Sequence, residues 1–149
     1  SCTAPVAHPM EAQMPERHEI AYADARAVVD AVVEKLVAQG AGAAVAVTDP
    51  HGELIAFART DGCPLASINN AINKAFTAAR ERVESATIGQ RSRDEGFPMT
   101  NFGDIRYTGW GGGVPIIRGG RTIGAVGVSG LPEAEDIVLA RMGAELVSD

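Results

Sequence analysis

Residues 107–130 read YTGWGGGVPIIRGGRTIGAVGVSG, and the rest of the domain is predicted to assemble around this stretch. Two runs rich in β-branched residues, Val114–Ile117 and Thr122–Val128, are joined by Gly119-Gly120. A Gly-Gly pair supplies the positive φ angles of a tight turn, so the pattern predicts a β-hairpin. Gly111, Gly112 and Gly113 precede it, where missing side chains let a ligand, a helix or a neighbouring subunit approach the backbone. A phosphate-binding loop is disfavoured because no helix beginning Gly-Lys-Ser/Thr follows.

Working outward, periodicity and turn-forming residues predict the other elements. Apolar residues recur at three- and four-residue steps in the helices and concentrate in short runs in the strands. The predicted elements are a helix from Tyr22 to Gly40, strands Ala43–Thr48 and Glu53–Arg59, a helix of about Ala66–Val83, a short helix with a long connection over 84–104, and a last helix from Pro132. This order predicts an α+β fold, with a mainly antiparallel sheet flanked by helices.

Composition limits the size and the class of the protein. A chain of 149 residues with 46% hydrophobic content suits one domain, which we place at 20–149. Residues 1–19 contain three prolines and show neither helical nor strand periodicity of apolar residues, so we expect a flexible N-terminal arm. The alternative is that Met10 and Met14 dock the arm onto a partner subunit. The net charge of −6 argues against nucleic acid and anionic membranes as partners. The sequence contains no apolar run long enough to span a membrane and no signal-peptide pattern at its N-terminus, which favours a cytoplasmic protein.

The second predicted helix carries a polar face. Asn70, Asn73, Lys74 and Thr77 share one side, opposite an apolar stripe that includes Ile68. A helical lysine is usually a solvated charge. If this face lines a cleft, Lys74 is expected to anchor an anionic group or, when desolvated, to act as a base. Asn70 and Thr77 are then candidate ligand-binding residues.

The segment 101–110, NFGDIRYTGW, is rich in side chains that can bind a ligand or transfer a proton. Arg106 can hold a carboxylate, Tyr107 or Asp104 can move a proton, and Trp110 can form an apolar wall. We predict that Arg106, Tyr107 and Trp110 line one ligand site with Lys74, beside Gly111–Gly113. In a strand Tyr107 would point away from the other two, so the strand must bulge or end near Gly109, or the site lies between subunits. The structural alternative is a strand with Arg106 paired to a surface acid, Tyr107 half-buried and Trp110 plugging the core edge.

Histidines and acids are the remaining candidates for metal binding. His51 lies in a predicted turn, and His18 and His8 lie in or next to the arm, so His51 and His18 are the candidate metal ligands. The chain contains no Cys/His spacing of a structural zinc site and no Cys-x-x-Cys-His motif. Acids in the first turn of the last helix, Asp136 among them, are sufficiently explained by the helix dipole.

Three motifs in order carry a resemblance to a known family. They are Val47–Gly62, Lys74–Ala79, and Gly111–Ile116 with Gly124–Gly130 followed by Glu135-Asp136. Over about residues 20–147 the chain resembles the GlcG/HbpS-like proteins, which also supply the C-terminal domain of PduO adenosyltransferases. The resemblance implies a profilin-like α+β sandwich that forms oligomers. Members of this family bind haem, take part in haem degradation or bind corrinoids, and the resemblance implies a function of this kind.

Three functions stay open at this point. In the first, a small-ligand-binding protein takes haem or a related tetrapyrrole at a pocket between subunits; Lys74 and Arg106 meet its carboxylates, and a histidine or an oxygen ligand meets iron. In the second, a lyase or isomerase without an organic cofactor acts on a small aromatic or hydroxy carboxylic acid held by Arg106 and Trp110. The third is a structural subunit. We expect a homo-oligomer, because the helices are rather apolar and the hairpin leaves little bulk on one face.

Overall fold

The computed structural model describes residues 3–5 and 18–149, and it confirms the α+β class. Its elements are helix α1 (Tyr22–Ala38), strands β1 (Ala44–Thr48) and β2 (Leu54–Arg59), helices α2 (Leu65–Glu81) and α3 (Ser85–Glu95), a 3-10 turn (Met99–Phe102), strands β3 (Gly113–Arg118) and β4 (Arg121–Ser129), and helix α4 (Glu133–Val147). The strands form one antiparallel sheet in the order β2-β1-β4-β3. No helix in these ranges is long and apolar enough to cross a membrane.

The predicted hairpin is present and lies at the edge of the sheet. Strand β3 pairs with β4 in a register that places Val114 opposite Val126. Gly119 and Gly120 have φ angles of 60° and 73°, the left-handed conformation that a two-residue hairpin turn requires. The glycine pair therefore acts as the sequence predicted.

The two faces of the sheet are covered in different ways. On one face α1 and α4 pack on branched side chains, among them Val45 and Val126. On the other face α2 packs on small residues of β1 and β4. A Cβ added at Gly127 would lie 2.7 Å from the backbone nitrogen of Ala75, and closer still to the carbonyl oxygen of Ala71. The backbone of α2 therefore rests almost directly on the sheet.

This close approach buries more of α2 than its predicted apolar stripe. Lys74 and Thr77, expected on the polar side, are buried, while Ile68 is only half-buried. The connection after α3 and the start of α4 cover the side that the sequence pattern left to solvent. In α1 the apolar residues at three- and four-residue steps are mostly buried, as predicted, but Val33 is half-buried and Val37 is 65% exposed.

The connection that leads into β3 is irregular backbone. Residues 103–112 contain turns and bends but no strand, so the strand assumed for Arg106 to Trp110 is wrong. Trp110 is 61% exposed and does not plug the core edge. Most of the predicted arm, including His8, Met10 and Met14, lies outside the described residues.

Candidate functional site

A buried ion pair joins α2 to the first turn of α4. The Lys74 Nζ lies 3.2 Å from Asp136 Oδ2 and donates a second hydrogen bond, of 3.0 Å, to the carbonyl oxygen of Val128. Lys74 is 3% exposed and Asp136 2% exposed. The other carboxylate oxygen, Oδ1, accepts a hydrogen bond from the Leu131 backbone N–H. Close packing of α2 on the sheet brings the lysine stem over the end of β4, where Asp136 neutralises its charge.

Gly112 makes room for this lysine. Its φ angle is +124°, which favours glycine, and a Cβ added there would lie 3.1 Å from Lys74 Nζ and 2.5 Å from the Val128 carbonyl oxygen. The predicted close approach to the glycines thus comes from α2 and its lysine. Gly111 N–H donates to Glu133 Oε1, so α4 also contacts this segment. A ligand-binding role for the three glycines stays a prediction.

The ion pair lines an open cavity of about 340 Å³, which we call the lysine cavity. Its lining residues are Ser67, Asn70, Lys74, Trp110, Ser129, Gly130, Leu131, Glu133 and Asp136. The hydroxyl of Ser129 donates to that of Ser67 at 3.3 Å. The structure therefore brings together three of the predicted site residues, Asn70, Lys74 and Trp110.

Asp136 is the residue that sequence patterns did not reveal. Burial raises the pKa of its carboxyl, and the neighbouring Lys74 ammonium opposes that rise. Its position in a first helical turn was attributed to the helix dipole alone. The family motif contained a signal for this residue, because it includes both Lys74 and the Glu135-Asp136 pair. A lysine that is buried is stable when an acid pairs with it, and the motif supplies one.

Four other predicted residues form a separate cluster that does not line the lysine cavity: Thr77, Asp104, Arg106 and Tyr107. The Arg106 guanidinium lies 3.0 Å from Asp104 and 3.2 Å from Glu53, and it stacks over the Phe76 ring at 4.0 Å. The pKa of Asp104 is lowered, chiefly by its hydrogen bond from the Arg106 side chain. The pairing of Arg106 with acids matches the structural alternative. The proposed ligand-binding role of Arg106 and the proton-transfer role of Asp104 stay predictions.

Tyr107 and Thr77 hold the connection onto α2. The Tyr107 ring stacks on Phe102 at 4.3 Å and meets the edge of Phe76 at 5.2 Å, and burial raises the pKa of its hydroxyl. The Thr77 hydroxyl accepts a 3.0 Å hydrogen bond from the Thr108 N–H. These contacts give both residues a positioning function in the fold, and their predicted roles toward a ligand stay predictions.

A second cavity, of about 510 Å³, lies at the opposite end of α2, and we call it the histidine groove. It forms where the β1–β2 turn, the C-terminal end of α2 and the β3–β4 turn meet. Its lining residues are His18, Pro50, His51, Ala79, Arg82, Ile117, Gly120, Arg121 and Thr122. The two predicted metal ligands, far apart in the chain, therefore share one cavity. The turn that carries His51 is held by Arg80, whose Nε donates to the His51 carbonyl oxygen at 2.8 Å.

Arg82 has an unusual backbone in this groove. It ends α2 with a φ angle of 61°, the only positive φ of a non-glycine residue in the described part of the chain. Glycine normally takes this position after a helix. Among the same residues, no group of three or more His, Cys, Asp or Glu is placed to hold a metal ion.

Known proteins match this chain in sequence and in fold. A family model described as haem degrading protein HbpS-like matches residues 20–145. An uncharacterised 15.0 kDa protein from the dhaT-dhaS intergenic region of Citrobacter freundii is 31% identical over 134 residues, which cover 87% of this chain and 93% of the relative. The crystal structure of a double mutant of HbpS from Streptomyces reticuli superimposes with a TM-score of 0.83 at 26% identity, covering 100% of both chains. A PduOC–haem complex has a TM-score of 0.78 at 22% identity, covering 87% of this chain and 95% of the other, and shows a shared fold.

Proposed function

The chain belongs to the HbpS-like family, as its motifs predicted, and on this premise we propose that it binds haem or a related tetrapyrrole in the histidine groove. The observation that carries the proposal is the donor set of the groove. His18 and His51 supply imidazoles, and Arg82 and Arg121 supply guanidiniums. No carboxylate is found among the described residues that line it.

Each part of this donor set suits one part of a haem. Imidazole is a common axial ligand of haem iron. Guanidinium groups pair with carboxylates through two parallel hydrogen bonds, and a haem carries two propionates. Pro50 and Ile117 add apolar surface for the porphyrin ring. On a chain with a formal charge of −6, a basic groove favours an anionic ligand.

The strained backbone of Arg82 supports the same assignment. A left-handed conformation costs a residue with a side chain about 1–2 kcal/mol compared with the right-handed one. Residues held in such sparsely populated conformations cluster at active sites and ligand clamps, where the surrounding structure maintains them. In this chain it places a guanidinium at the groove, where glycine would give the more stable helix end.

The basic groups that the sequence patterns assigned to the propionates are already paired. Lys74 is buried against Asp136, and Arg106 contacts two carboxylates. The lysine cavity also lacks histidine, cysteine, methionine and tyrosine among its described lining residues, so it offers haem iron none of its usual axial ligands. The histidine groove is therefore the better candidate. When bound there, haem would supply an iron centre, and the chain would supply axial ligation and carboxylate binding.

Titration with haemin tests this proposal. We expect a saturable Soret band whose position changes in His51→Ala or His18→Ala, because the axial ligand is lost. Arg82→Ala should weaken haemin binding, whereas Arg93→Ala, an exposed arginine on α3, should leave it unchanged. A wild-type response that does not saturate, or equal responses from all four variants, would contradict binding in this groove.

A further inference from the structure

We propose that the lysine cavity is a second ligand site, for a small uncharged molecule that carries hydroxyl groups and a carbonyl oxygen. This site does not depend on the haem proposal, because the two cavities lie at opposite ends of α2 and share no lining residue among those described. Ion pairs buried for stability alone need no access to a cavity. This pair lines one, with several hydrogen-bonding side chains around it.

The Lys74 ammonium keeps one donor for a ligand. An ammonium has three N–H donors. Two of them meet Val128 and Asp136, at 3.0 and 3.2 Å. A carbonyl oxygen suits the third donor, because it accepts hydrogen bonds and has no proton to compete with the ammonium.

The electrostatic balance of the cavity favours an uncharged molecule. The charge of Lys74 is matched by Asp136, to which it is paired. The other charged lining residue, Glu133, is the first residue of α4. The partial positive charge of the helix dipole at that end offsets part of its negative charge. A carboxylate ligand would have to approach two acids, and a cation would have to approach the ammonium.

The remaining lining residues suit a compact molecule with several oxygens. Ser67 and Asn70 can donate and accept hydrogen bonds, so they match hydroxyl groups in either direction. Trp110 and Leu131 present apolar surface that can cover the carbon skeleton. A volume of about 340 Å³ is near the lower end for ligand pockets, which indicates a small ligand.

Trp110 provides the assay, because it is the only tryptophan in the chain and lies in the lining of the cavity. We would titrate the protein with erythrulose, erythritol and erythronate, which share a four-carbon skeleton and differ in their ketone, alcohol or carboxylate group. Erythrulose should give a saturable change in tryptophan fluorescence, erythritol a weaker one and erythronate the weakest. No saturable change with erythrulose, or tighter binding of erythronate, would overturn the proposal.

Two asparagines on the same helix give a matched pair of variants. Asn70 lines the cavity, whereas Asn73, also half-buried, does not. Asn70→Ala should weaken erythrulose binding by roughly 2- to 13-fold, the range for one neutral hydrogen bond. Asn73→Ala should leave binding unchanged. Equal effects of the two substitutions would refute a site at this position.

Discussion

Breaking the Lys74–Asp136 pair should destabilise the protein far more than an ordinary substitution of lysine. Lys74→Met removes the ammonium and leaves the Asp136 carboxylate buried without its cation. Loss of one partner of a buried pair costs about 3–5 kcal/mol, because the remaining charge stays out of water. For a domain of this size, each kcal/mol lowers Tm by about 2–4 °C, so the expected loss is about 6–20 °C.

The same reasoning predicts a rescue. In Lys74→Met/Asp136→Leu both charges are gone, and replacing a buried pair with apolar residues is often neutral or stabilising. The double variant should therefore be more stable than Lys74→Met. Lys35→Met is the matched control, since Lys35 is the only other lysine and is exposed on α1; it should change the free energy of unfolding by less than about 0.5 kcal/mol.

Denaturant unfolding followed by circular dichroism measures these free energies, and its pH dependence gives a second check. In the native protein the pKa of Asp136 is raised above its usual value of 3.8. A raised carboxyl pKa contributes stability that is fully present below the unfolded-state pKa and is lost as pH rises through the folded-state pKa. In Lys74→Met that pKa should rise further, so the deficit relative to wild type should shrink as pH falls. A Lys74→Met cost below about 1 kcal/mol, with no pH dependence, would refute the account of an uncompensated buried charge.

Four further predictions concern other contacts. Gly127→Ala should cost about 1–3 kcal/mol or more in denaturant unfolding, because its Cβ would meet the backbone of α2; a neutral result would show that α2 can shift. Arg82→Gly should stabilise the fold by about 1 kcal/mol by relieving its positive φ while weakening haemin binding, and a variant that loses stability would contradict the strain argument. Asp104 has a lowered pKa because of Arg106, so its contribution to stability is present above the unfolded-state pKa and lost as pH falls through the folded-state pKa. NMR titration should show the Asp104 pKa moving up in Arg106→Ala, and an unchanged value would exclude this pairing. Light scattering should show a homo-oligomer, and a monomer throughout the micromolar range would disprove the assembly prediction.

Residues 107–130 and helix α1 show how much of the fold could be predicted from sequence. The Gly119-Gly120 turn, the flanking strands and the long amphipathic helix α1 follow from local rules of backbone geometry and periodicity. The three ordered motifs are also sufficient to identify the family. Each of these features is encoded by residues close together in the chain, so it can be predicted without knowing how the helices pack.

The sites depended on contacts between distant residues. Sequence patterns indicated Lys74 but not Asp136, which is 62 residues away. They indicated His18 and His51 one by one but not their common groove with Arg82 and Arg121. They placed Arg106 beside Lys74, although Arg106 pairs with Asp104 and Glu53 instead. The sequence by itself determined the elements and the family, because local backbone preferences and ordered motifs specify them. Only the tertiary structure decided which charges are paired and which line a cavity, because that depends on where the helices lie on the sheet.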